Sequence, residues 1–163
     1  MKLTKVTTGT GSTPSEYTFS MSASERRLLS TVLDLYPLLN SDFHRLSRGT
    51  LPARRRGDEE LLKESMIERR REFRKHLDIF LQRRCWHHPT PLTITEIEID
   101  WLLQVLNDLR VGSWTLLGQP TDTATFPDVA DPARLKHFTA MEVAGHWQSF
   151  LLEVLDGSIP PET

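Results

Sequence analysis

The chain has 163 residues, with 20 Lys+Arg and 22 Asp+Glu, a formal net charge of -2. That length fits one domain with a real core, since a chain of about 150 residues buries roughly 70% of its unfolded surface. Apolar content of 38% and charged content of 26% argue against intrinsic disorder, no apolar run approaches the roughly 18 residues of a membrane span, and the near-neutral total argues against strong general nucleic-acid affinity.

The N-terminus, MKLTKVTTGTGSTPSEY, lacks the apolar stretch of a secretory signal. One cysteine, Cys85, excludes an intramolecular disulfide and fits a reducing compartment, so the expected location is cytoplasmic. The near-zero total hides a segregation. Residues 45–84 carry a net +6 and residues 85–163 a net -8. Two blocks of opposite sign can dock within the chain or serve a partner.

Lys2–Val6 and Tyr17–Met21 alternate polar and apolar side chains, the signature of strands, with Gly9-Thr10-Gly11 as a loose hairpin connection. A helix follows from Ser22, which forms a capping box with Glu25. Leu28, Leu29, Val32, Leu35, Tyr36 and Leu39 recur at helical spacing, with Pro37 set to bend or end the helix. Residues 40–57, rich in turn formers, read as a loop or short helical turn.

The next helix is expected from about Asp58 to Arg84. Leu62, Met66, Phe73, Leu77, Phe80 and Leu81 form one apolar stripe, interrupted where Arg70 points into it and Arg69 flanks it. A third helix is expected to open on a capping box of Thr93 with Glu96, stapled by Leu92 and Ile97. It runs to about Leu117, with Gly118 as its cap. Ile97, Trp101, Leu102, Val105, Leu106, Leu109 and Leu116 cover a broad face, and Leu103, Val111 and Trp114 spread apolar surface further round. A helix apolar on most sides is a central one. Residues 119–130 form an acidic loop. Asp131 caps a last helix with Pro132 at its first position, ending near Asp156 and Gly157.

Asp108 falls at the edge of the third helix's apolar face. A carboxylate there needs a cation or hydrogen-bond donors, or it would protonate. Arg70 is the expected partner in a helix-docking ion pair, while Arg110 and Asn107 point elsewhere on the wheel. The alternative is a ligand or partner site at Asn107, Asp108 and Arg110. His146 lies on a polar face with Glu142 and Glu153, a solvated charge cluster more than a metal site. Cys85, His87 and His88 offer three ligands within four positions, with no second cluster to complete a zinc site. A catalytic role for Cys85 would need an activated thiolate with a positioned base, which the sequence does not establish. Phosphate-loop and dinucleotide motifs are absent. Arg54–Arg56 and Arg69–Arg71 are the basic clusters, diluted by neighbouring acids.

Residues 101–118, WLLQVLNDLRVGSWTLLG, resemble the most distinctive segment of an uncharacterised actinobacterial domain-of-unknown-function family, which reads like Trp-Leu-x-x-Leu-Asn-Asp-Leu-Arg followed by a Leu-Gly ending. Trp101, Leu102, Leu106, Asn107, Asp108, Leu109, Arg110, Leu117 and Gly118 match. The strand leading into a Glu/Arg/Leu-rich helix (Tyr17 to Leu39) and the final helix from Gly145-His146-Trp147 through Leu155 are similar too. The chain departs after Arg110, where Val111–Leu116 replace a Leu-Gly-Thr-Arg-Leu-type continuation and a charge is missing. The resemblance implies a small, cytoplasmic, mostly helical bacterial protein of unknown activity, from a family often encoded near a ClpS-type protease adaptor.

The resulting expectation is a single domain over residues 1–163, mostly α and four-helix bundle-like. Residues 1–21 form a small β-hairpin or a flexible N-terminus, and residues 158–163 a tail. The favoured function is a non-enzymatic protein-interaction or adaptor module, self-associating or binding a protein partner. The alternatives are a nucleic-acid-binding module through the Arg-rich second helix, and a ligand-binding protein or enzyme centred on Asp108. Neither a cofactor nor a metal nor a membrane is expected. The candidate structural or partner site comprises Arg70, Trp101, Asn107, Asp108 and Arg110.

Overall fold

Alternating side chains at the N-terminus do form a hairpin. In the computed structural model, which describes residues 1–39, 53–119 and 131–162, β1 (Lys2–Thr7) pairs antiparallel with β2 (Glu16–Ser20), with a bulge between Leu3 and Lys5. Leu3, Tyr17 and Phe19 turn inward and are buried. A third strand, β3 (Leu92–Thr95), pairs antiparallel with β2. It puts Leu92 opposite Phe19 and Ile94 opposite Tyr17.

This third strand corrects the expected start of the third helix. Thr93 and Glu96 do not form the capping box, because Thr93 still pairs with Thr18 in the sheet. The helix α3 (Glu96–Leu116) is capped two residues later, by Thr95 and Glu98. The Leu92–Ile97 staple is absent as well: Leu92 is a buried strand residue, while Ile97 is 64% exposed. Along α3, Trp101, Leu102, Val105, Leu106 and Leu109 are buried as expected. Leu116 is exposed, and Ile99, not anticipated, is fully buried.

The remaining boundaries follow local chemistry. Helix α1 (Ala23–Leu33) opens on the Ser22–Glu25 capping box and closes at Asp34, before the cis peptide bond of Tyr36–Pro37. It is therefore shorter than the apolar spacing through Leu39 suggested. Helix α2 spans Ala53–Leu81, so residues 53–57 extend the helix and are not loop; the rest of that expected loop, 40–52, lies outside the described residues. Its end comes before Arg84, because Arg83 adopts an extended backbone ahead of a 3-10 turn at Arg84–Trp86. Helix α4 (Pro132–Leu155) begins on Asp131, whose side chain accepts from the Ala133 and Arg134 amides. Gly118 and Gly157 follow their helices at φ 87° and 79°, the left-handed cap conformation that glycine adopts without a Cβ clash. The acidic loop at 120–130 lies outside the described residues.

The architecture is thus mostly helical, with four α-helices and a small three-stranded antiparallel sheet among the described residues. The most extensive helix contact is between α3 and α4. The core joins sheet residues Phe19 and Ile94, α1 residues Leu29 and Leu33, and α3–α4 residues such as Leu106 and Leu151. Among the described residues no helix is long and apolar enough to cross a membrane.

Candidate functional site

Arg70 reaches α3 as expected, with its Nε 3.9 Å from Asp108 Oδ2. The apolar stripe of α2 carries it inward, leaving its side chain 13% exposed against 41% for Asp108. One Arg70 N–H also donates to the Leu39 carbonyl at 3.1 Å. The pair is therefore a half-buried docking contact that also ties the segment after α1 to α2.

The pair does not fill the space around it. A cleft of about 370 Å³ opens there between α2 and α3, with Gln148 of α4 at its edge. Met66, Phe73 and Leu103 supply its apolar surface. Arg69, Arg70, Asp108, Gln104 and Asn107 supply charge and amide groups. Tyr36 also lines it, its hydroxyl buried. Burial, then the Asp108 charge, push the Tyr36 hydroxyl well above its ordinary pKa, while Arg70 pulls it partly back. It is therefore a neutral donor at physiological pH, unsuited to act as a base. Such a lining, a cation and an anion side by side with amides over an apolar floor, suits a small polar or zwitterionic ligand.

The other site residues separate. Arg110 donates to the Asn107 side-chain oxygen at 3.1 Å, one turn along the same helix, so these two meet each other although the wheel set them apart. Arg110 does not line the cleft. Trp101 is a core residue, stacked edge-on against Phe80 at 5.7 Å between centroids.

Elsewhere, Glu142 and His146 line a separate cleft of about 350 Å³ with Trp147 and Phe150, and Glu153 is not part of it. Cys85 is buried, and burial raises its thiol pKa, which disfavours the nucleophilic thiolate. Among the described residues no three His, Cys, Asp or Glu side chains are placed to hold a metal ion. Of the basic clusters, Arg71 pairs with Glu68 and Arg74 with Asp78, while the side chains of Arg54–Arg56 lie outside the described residues.

Two features escaped the sequence reading. Arg83 pairs with Glu98, the residue that also completes the α3 capping box. Arg26 is 8% exposed on the inner side of α1. Its spacing of three from Leu29 and seven from Leu33 was the available signal. No protein-family model, curated protein or solved structure matches the chain.

Proposed function

We propose that the chain is a cytoplasmic, bundle-like protein-interaction module that self-associates through the first half of α2, its occupant a second copy of this chain. The carrying observation is that the apolar stripe of α2, which begins at Leu62, is buried only in the second half of the helix, with Leu61 exposed beside its start. Leu77 and Phe80 are buried, whereas Leu61 is 67% and Leu62 47% exposed. Between Gly57 and Glu72 none of the described side chains is buried. Exposed leucines of this kind on a long helix mark an interface. Charge favours like meeting like here, because residues 53–69 hold five basic and five acidic side chains. Two such helices related by a two-fold axis meet without net repulsion.

Size-exclusion chromatography with light scattering tests this reading. A dimer is expected for the native chain, and Leu61→Glu with Leu62→Glu returns a monomer with unchanged circular dichroism. A native chain that stays monomeric at high concentration overturns it.

The cleft at Asp108 favours a second reading, as a ligand-binding protein. Gln104→Trp fills that cleft from an exposed position. Small zwitterionic compounds are expected to raise the unfolding temperature of the native chain and to lose that effect in the variant. If no such compound stabilises the native chain, this reading fails while the self-association reading stands.

A further inference from the structure

We infer that a second cleft, between α1 and the turn after α2, is a binding site for a phosphate-bearing small molecule. The cleft holds about 570 Å³ and is lined by Arg26, Arg27, His87 and His88, with Leu81 and Trp86 as its apolar wall. That volume accommodates a ligand of drug or nucleotide size.

Arg26 is the group that singles the cleft out. It is 8% exposed, and a guanidinium so deeply placed is ordinarily matched by a carboxylate. Among the described residues no carboxylate forms an ion pair with it. One N–H donates to the Met21 carbonyl at 2.6 Å, which fixes the side chain against the start of α1. The side chain also lines the cleft. The acid on the lining, Asp34, is approached by Arg74 Nη2 at 3.9 Å, which answers part of its charge.

The opposite wall is equally fixed. Trp86 donates its indole N–H to the Phe80 carbonyl at 2.7 Å and packs edge-on against the Phe80 ring. This holds the indole in place beside the two imidazoles that follow it. Two guanidiniums and two imidazoles lining one cleft match an ion with three acceptor oxygens and a charge of about -1.5 to -2 better than a single carboxylate. Trp86 and Leu81 then receive the apolar part of the ligand.

The test is a titration of the full chain by two-dimensional amide NMR with inorganic phosphate, phenyl phosphate and acetate. Saturable shifts centred on Arg26, Arg27, His87 and His88 are expected. Phenyl phosphate should bind about tenfold more tightly than phosphate through the apolar wall, and acetate about tenfold more weakly. Arg27→Ala with His88→Ala changes only exposed side chains, so it keeps the fold while weakening phosphate at least about tenfold. Arg26→Lys, which keeps a charge but not the fork, should weaken it as well. The proposal is overturned if no shift saturates, if acetate binds as tightly as phosphate, or if the double variant binds phosphate like the native chain.

Discussion

Phe80→Ala should destabilise the protein by about 3–5 kcal/mol, the largest loss expected from a single truncation in α2. Phe80 is 1% exposed, so its removal leaves a cavity that a rigid aromatic neighbourhood cannot collapse into. Its ring meets Trp86 at 5.4 Å and Trp101 at 5.7 Å, both edge-on. Each such pair contributes about 0.5–1.5 kcal/mol beyond area burial. Through these contacts Phe80 joins α2 to α3 and to the turn beneath the Arg26 cleft. The loss is read from urea unfolding followed by circular dichroism. Phe80→Leu, which keeps most of the volume, should lose less than half as much and remain folded. Equal losses for the two variants would overturn this account, because the volume that Leu retains would then contribute nothing.

Arg83→Ala is the second large effect, at about 2 kcal/mol near neutral pH. Arg83 leaves the helix to donate to the Thr93 carbonyl at 3.1 Å and to pair with Glu98. It also lies 4.8 Å from the centroid of the Phe80 ring, a cation–π contact. One side chain thus fastens α2 to β3, to α3 and to the aromatic cluster. Burial pushes the Glu98 carboxyl up, but Arg83 and the Thr95 amide outweigh it and hold the pKa below the ordinary 4.5.

A depressed folded-state pKa contributes stability above the unfolded value, and that contribution fades as pH falls below 4.5 through the folded value. The gap between native and Arg83→Ala should therefore be widest near neutral pH and narrow in acid. Glu98→Gln, which keeps the shape and removes the charge, should show the same narrowing. Parallel stability curves for native and variant from neutral pH to well below 4.5 would refute this role for the pair.

How much of this was legible in the sequence depends on whether a feature is local. The segment Thr93-Ile94-Thr95-Glu96-Ile97-Glu98 contains two Thr-x-x-Glu spacings, and either could cap a helix. Only the pairing of Leu92 and Ile94 with the hairpin decides that the helix begins at the second. The same holds for Arg83: it sits at the expected end of the second helix, and nothing nearby in sequence announces Glu98. Arg70 and Asp108 were legible because each interrupts an apolar face, and a charge in that position demands an opposite one. The cleft beside them was not, because the gap between two helices depends on the side chains of both.

By itself the sequence determined the strands of the hairpin, the Ser22 and Asp131 helix starts, the glycine caps and most of the inward face of α3. Each depends on residues within a turn or two of one another, through capping bonds, side-chain periodicity or backbone sterics. Tertiary structure alone decided the third strand, the ion pair of Arg83 and Glu98, the exposed first half of α2 and the burial of Arg26 beside a cleft. These rest on which distant surfaces meet, because burial and pairing are properties of two segments at once. The charge segregation shows both sides: its signs were read from the residues, but the structure showed that single arginines such as Arg70 and Arg83 join the two blocks.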